Sequence, residues 1–106
     1  MIGSITLAEA LKLHRLWLDD DNEGKRLDAA GADLSRAFLH DAELHGADLS
    51  GAKLNEADLS YAKLSGADLR DANLSYADLT RAKIDRANFD GATMTGATMP
   101  DGTKHA

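Results

Sequence analysis

The stretch ADLSGAKLNEADLSYAKLSGADLR, residues 47–70, repeats a five-residue unit in which a large apolar residue stands two places after an alanine. Fourteen such units run from Ala32 to Met99 without an insertion. A short internal period is typical of a solenoid, because each unit can bury its apolar side only by stacking on its neighbours. The period therefore predicts an array of stacked units.

The five-residue spacing is incompatible with a continuous helix and with a flat sheet. An α-helix has about 3.6 residues per turn, so the leucines would spread around its whole circumference. In a straight strand, an odd period places successive leucines on opposite faces. We therefore predict short extended segments separated by corners, which coil so that every alanine and leucine faces one axis.

Units such as Ala47-Asp48-Leu49-Ser50-Gly51 and Ala57-Asp58-Leu59-Ser60-Tyr61 resemble those of the pentapeptide-repeat family. The resemblance covers about two thirds of the chain. It implies an all-β solenoid, a right-handed quadrilateral β-helix with four units per coil and thus about 3.5 coils. It also implies that the alanine and the central leucine of each unit point inward.

The first part of the chain follows another pattern. Thr6 and Glu9 have the spacing of a capping box, and apolar residues then follow with helical periodicity, so we predict a helix from Thr6 to Asp19. We divide the chain into a capping helix and loop at 1–29, a β-helix at 30–101 and a tail at 102–106. Leu27 and Ala29 fall in register with the later inward positions, which favours a coil that begins before the regular repeats.

The predicted helix is amphipathic and needs a surface on which to bury its apolar side. We expect Leu11, Trp17 and Leu18 to cover the first coil, because an uncapped solenoid exposes strand edges and core residues. Phe38 stands at an outward position usually given to Asp or Asn, and we expect its ring to contact the helix or the loop. The alternative is an exposed ring in a partner-binding site.

The carboxyl-terminal end of the repeat array departs from the leucine column. Its inward residues are Ile84, Phe89, Met94 and Met99, and Lys104 would break the pattern. Larger and softer side chains suit an end-to-end contact, and the family resemblance implies a homodimer through this end. The alternative is a tail folded over the open end of a monomer.

Composition excludes several classes of function. The net charge of −6 argues against direct binding of nucleic acid, which requires Lys and Arg to displace counterions. There are no cysteines, so neither disulfides nor thiolate ligands are present. No apolar run approaches the length of a membrane span, and the amino terminus has no secretion pattern. We expect a cytoplasmic protein with no membrane contact.

The sequence contains no motif of a catalytic or cofactor site. Neither a phosphate-binding loop nor a G-x-S-x-G nucleophile motif occurs. A calcium-loop pattern begins at Asp19, but Ala30 stands where the bidentate glutamate is required. The histidines are His14, His40, His45 and His105, and we expect His40 and His45 to be solvated residues at successive corners of one coil, too far apart to share a metal ion. We expect no enzyme activity, no cofactor and no metal.

Four units per coil would sort the outward charges into faces, two of them acidic. The candidate partner-binding residues are Asp41, Asp48, Asp58, Asp68, Asp71, Asp78 and Asp90. One hypothesis is a DNA mimic that binds a bacterial DNA-binding enzyme, since the family includes quinolone-resistance proteins that bind DNA gyrase. The other is a scaffold or partner-binding rod with no nucleic-acid connection, in which Asp only suits the corner and keeps the rod in solution.

Overall fold

The computed structural model of this chain describes residue 2 and residues 5–106. One α-helix, α1, spans Leu7–Leu18 within that part. From Asp28 to Thr98 the backbone forms a coil in which each five-residue unit contributes one β-bridge residue, without longer strands. The molecule measures 42 × 23 × 22 Å, so the coil, helix and tail together form a short rod.

Parallel bridges set the register of the coil. Each bridge joins the residue before a central leucine to the residue 20 positions later, as between Asp48 and Asp68 or between Asp58 and Asp78. Four units therefore form one coil, as the family resemblance implied. The first bridge residue is Asp28, two positions before the boundary drawn from the sequence, because Leu27 and Ala29 already point inward and are buried.

The core is a stack of leucine and alanine side chains along the coil axis. The central leucines from Leu39 to Leu79 are at most 1% exposed, and the alanines from Ala47 to Ala77 are equally buried. Towards the carboxyl-terminal end, Ile84, Phe89 and Met94 pack against this core but are only partly buried. Burial is therefore complete in the middle coils and incomplete at that end.

Helix α1 begins and ends where the sequence predicted. The Thr6 side chain accepts a hydrogen bond from the Glu9 N–H at 3.1 Å, and Asp19 is the carboxyl-terminal cap. The chain then turns back tightly over the helix. A Cβ atom at Gly24 would lie 2.1 Å from the Trp17 backbone nitrogen, so this turn requires glycine.

The residues that attach α1 to the coil match the predicted ones only in part. The buried residues of the helix are Ala10 and His14. Leu11 packs against the core and Leu18 is half-buried. Trp17 remains 40% exposed, and one edge of its ring covers Gly46.

Phe38 does not take part in this cap. Its side chain is 89% exposed, so the predicted contact with the helix or the loop is wrong. The reason is the position of α1, whose contacts run to Leu27 and to residues 43–46 at another corner of the coil. The alternative from the sequence, an exposed ring, is the arrangement observed.

The carboxyl-terminal tail folds back on the last coil. Thr98 and Lys104 form an antiparallel bridge, and the Met99 N–H donates to the Thr103 carbonyl at 2.7 Å. Gly102, with φ 87°, makes the turn between them. The tail thus covers one of the four edges at this end, as the alternative to a dimer predicted.

Candidate interaction surface

The register sorts the outward residues into four faces, each named here after one of its members. The Asp48 face carries Asp28, Asp48, Asp68 and Asn88; the Lys53 face carries Asp33, Lys53, Asn73 and Thr93. The Phe38 face carries Phe38, Asp58, Asp78 and Thr98; the Lys63 face carries Glu43, Lys63 and Lys83. The two acidic columns, on the Asp48 and Phe38 faces, therefore lie on opposite sides of the rod.

The aspartates of both columns also shape the corners. Oδ1 of Asp58 accepts hydrogen bonds from the Ser60 N–H at 3.0 Å and from the Ser60 hydroxyl. The hydroxyl bond and then the backbone bond lower the pKa of Asp58. Asn73 makes the same pair of bonds with Ser75, so a neutral side chain also supports this corner. One carboxylate oxygen is used locally, and the other faces outward.

A basic neighbour neutralises the middle of the Asp48 face. Arg70 donates from Nε and Nη2 to the two carboxylate oxygens of Asp68, at 2.9 and 2.7 Å. These bonds lower the pKa of Asp68 to about 2. An external cation would therefore have to displace Arg70 to reach Asp68.

The acidic column of the Phe38 face is more available. Neither Asp58 nor Asp78 forms an ion pair with a described residue. Asp41, at the corner beside this face, pairs with Lys63 at 3.4 Å. The remaining predicted residues, Asp71 and Asp90, are exposed beside the corner that follows the Asp48 face. The structure thus separates the predicted aspartates into two opposite groups.

A hydrogen-bonded chain on the Phe38 face was not predicted. His40 Nδ1 lies 2.8 Å from the Ser60 hydroxyl oxygen, and that hydroxyl donates its hydrogen to Asp58. The His40 ring packs edge-on against Tyr61, with ring centroids 5.5 Å apart. Because Ser60 donates to Asp58 and accepts from His40, these bonds fix the orientation of the His40 ring on this face. The 20-residue register was the signal that could have placed His40 beside Ser60.

The described residues include no group of three or more His, Cys, Asp or Glu side chains placed to hold a metal ion. Helix α1 has only 12 residues, and within the same part of the chain no helix is long and apolar enough to cross a membrane.

Comparison with protein-family models confirms the resemblance to pentapeptide repeats. A model described as pentapeptide repeats (8 copies) matches residues 26–60 and 62–99. The chain belongs to the pentapeptide repeat family. A comparison with curated protein sequences found no significant match.

Solved structures of other pentapeptide repeat proteins resemble this one. HetL from the cyanobacterium Nostoc sp. strain PCC 7120, described as involved in heterocyst differentiation regulation, is 39% identical over 79% of this chain and 44% of HetL, with a TM-score of 0.50. A protein from the Arabidopsis thaliana thylakoid lumen is 35% identical over 77% of this chain and 54% of that one, with a TM-score of 0.52.

A third relative, from the cyanobacterium Cyanothece 51142, is 32% identical over 62% of this chain and 52% of its own length, with a TM-score of 0.52. The 106-residue chain therefore spans about half the length of each of these three relatives. They share its repeat architecture over that part.

Proposed function

We propose that this pentapeptide repeat protein is a non-catalytic interaction protein whose acidic columns bind a bacterial DNA-binding enzyme in place of DNA. The observation that supports this most is the pair of carboxylate columns on opposite sides of a narrow rod. Duplex DNA likewise presents rows of negative charge on a rod, with one phosphate of each strand for about every 3.4 Å of helix axis. Carboxylates on the coil repeat at about one strand spacing, 4.8 Å, so the charge is similar in sign and arrangement but less dense.

The carboxylates exceed what the corner requires. Asn73 and Asn88 show that a neutral amide accepts the same hydrogen bond from the backbone two residues later. Like charges stacked one strand apart repel one another, so two aspartates in one column destabilise the coil slightly. Keeping Asp58 above Asp78 therefore has an electrostatic cost that binding of a basic surface would offset.

The expected result is that the purified protein competes with duplex DNA for gyrase or for another bacterial DNA-processing enzyme. A variant with Asp48→Asn, Asp58→Asn and Asp68→Asn should lose this competition while its melting temperature stays within a few degrees, since Asn preserves the corner. Lys53→Gln, on a different face, is the matched control and should compete as well as the wild type. Absence of competition across such enzymes would contradict the proposal.

The second candidate function is a scaffold or partner-binding rod with no nucleic-acid connection. One specific observation favours it. Asp48, Asp58 and Asp78 each use Oδ1 in the same corner hydrogen bonds, which accounts for an aspartate at this position without any partner. Under this function, the triple Asn variant would retain the protein's interactions with its cellular partners.

We further propose a homodimer through the carboxyl-terminal end. The N–H groups of Ile84, Phe89 and Met94 have no backbone partner among the described residues, and their side chains are only partly buried. A second copy would cover these open edges and the apolar residues around them. The tail already covers the fourth edge.

Light scattering should therefore give a mass twice the 11.3 kDa of the chain. Met94→Glu places a charge in the contact and should yield monomers. Thr95→Glu, the adjacent exposed corner residue, is the control and should remain dimeric. A wild-type mass of one chain would show that the tail alone closes this end.

The proposed setting is the cytoplasm, with no direct nucleic-acid or membrane contact. The absence of cysteine is compatible with a reducing compartment, and the acidic surface disfavours nucleic acid.

A further inference from the structure

The exposed aromatic side chains of the coil gather around one face. Phe38 is 89% exposed on the Phe38 face itself. Tyr76, 66% exposed, stands at the corner that enters this face, and Tyr61, 50% exposed, stands at the corner that leaves it. Apart from Trp17 on the helix, these are the only large apolar side chains of the described chain that are so exposed. Their clustering marks this face as different from the other three.

The two tyrosines occupy backbone positions that favour glycine. Tyr61 has φ 61° and Tyr76 has φ 60°. The equivalent corner position is filled by glycine in six other units and by a charged residue in the remaining six, namely Arg36, Asp41, Glu56, Asp71, Arg81 and Arg86. A side chain other than glycine's strains the backbone in this left-handed region. Tyrosine is the only aromatic residue found at this corner position, and both tyrosines border the same face.

The two tyrosine rings are also held in place before any partner binds. The Tyr76 ring lies over the backbone of the next coil, since a Cβ atom at Gly96 would be only 2.5 Å from it. Tyr61 packs against His40, which is itself fixed by its contact with the Ser60 hydroxyl. Rings that are already ordered lose little conformational entropy on binding.

The charge between the rings indicates what would bind there. Asp58 and Asp78 lie between the two tyrosine corners and form no ion pair with a described residue. Aromatic rings attract cations over their faces, and a guanidinium can stack on a ring while it donates to a carboxylate. A lysine ammonium can also lie over a ring, but it has no planar group to stack and no pair of N–H groups to hold a carboxylate, so it would bind this face more weakly.

We propose that the Phe38 face, through Phe38, Tyr61, Tyr76, Asp58 and Asp78, docks a protein surface that presents arginine side chains. This inference rests on the proposed function, since it names the face and the partner chemistry through which the rod would bind. It assigns the main contact to the Phe38 face and not to the Asp48 face, where Arg70 already occupies Asp68.

The test uses a variant that replaces the three rings by residues typical of other units, Phe38→Asp with Tyr61→Gly and Tyr76→Gly. Because Asp and Gly suit these positions, the variant should fold with a melting temperature within a few degrees of that of the wild type. The probe is a fluorescein-labelled octa-arginine peptide, followed by anisotropy in about 0.1 M salt. Binding should weaken by about tenfold or more.

The added carboxylate of Phe38→Asp lets this variant distinguish binding by the rings from binding by charge alone. If only charge holds the peptide, the variant would bind it as tightly as the wild type or more tightly, which would overturn the inference. A matched pair tests the choice of face: Asp78→Asn should weaken binding about threefold or more, and Asp48→Asn by less than twofold. Equal effects of the two would also overturn it, as would equal affinity for octa-lysine.

The outcome can be separated from that of the proposed function. If the ring variant keeps full competition with DNA for gyrase while the Asp→Asn variants lose it, acidic mimicry stands and the docking inference fails. If the ring variant loses peptide binding and no enzyme is bound by the wild type, the docking face stands and the DNA-mimic proposal fails.

Discussion

Replacing Leu59 by alanine should lower the free energy of unfolding by about 3 kcal/mol. Leu59 is fully buried, with Leu39 and Leu79 at the equivalent positions of the coils before and after it. Removing its side chain leaves a cavity among the four inward leucines of its coil, and the neighbouring coils cannot close it without breaking their bridges. The melting temperature should fall by about 15 °C.

Met94→Ala is the matched control for this prediction. Met94 occupies the same inward position, but it lies near the open end and is only partly buried. Its truncation should cost less than half as much, as measured by thermal or urea unfolding followed by circular dichroism. Equal losses at the two positions would show that the middle coils are not the stable centre of the fold.

Replacing His14 by alanine should detach α1 from the coil, at a cost of about 2 kcal/mol. The Leu27 N–H donates to His14 Nδ1 at 2.9 Å, so Nδ1 carries no hydrogen and Nε2 does. Nε2 then donates to the His45 carbonyl at 2.8 Å. Alanine would leave both backbone groups of the first coil without this partner. Exposed His105 is the control, and His105→Ala should have no effect on stability.

The same arrangement makes the helix cap sensitive to acid. Burial lowers the pKa of His14 below its ordinary value of 6.5, and the positive charge of Arg26 acts in the same direction. The unfolded chain therefore takes up a proton at a pH at which the folded chain does not. His14 contributes its stability above pH 6.5, and the contribution is lost as the pH falls through the folded pKa.

Trp17 provides the measurement, because its ring stacks on His14 with centroids 5.3 Å apart and it is the only tryptophan. Its emission and the helical circular dichroism should change together as the pH falls below 6.5. In His14→Ala the change over this pH range should be absent. An acid transition that persists in that variant would contradict the role of His14.

The five-residue period predicted the coil because it is a geometric constraint that one chain can satisfy in few ways. It assigned Leu49 and Ala52 to the core, and both are completely buried. The number of units per coil did not follow from the period and came from family resemblance. The bridge between Asp48 and Asp68 then confirmed it.

Contacts at the ends were harder to predict, since they depend on which backbone groups the coil leaves open. Helical periodicity places His14 on the same side of α1 as Leu11 but does not distinguish their roles. The first coil leaves one N–H group and one carbonyl group open, and only a side chain that both accepts and donates a hydrogen bond can satisfy them. Only the three-dimensional register shows that the groups at Leu27 and His45 meet at one point. Phe38 is exposed for the same reason, since these contacts hold α1 at another corner of the coil.

The candidate surface was predicted in composition but not in detail. The sequence placed the aspartates on two faces, and the bridges agree. The sequence did not indicate that Arg70 would form an ion pair with Asp68, or that Tyr61 and Tyr76 would border the face that carries Asp58. These features depend on side-chain conformation and on residues 20 positions apart, which a local pattern does not relate.

The central claim is that free carboxylates on the Phe38 face take the place of DNA phosphates. The most direct measurement is the displacement of a labelled duplex from DNA gyrase by the wild type and by Asp58→Asn with Asp78→Asn. Both residues form no ion pair with a described residue, and asparagine preserves their corners. We predict displacement by the wild type and at least about a tenfold loss in the variant. Equal displacement by the two proteins would contradict the account.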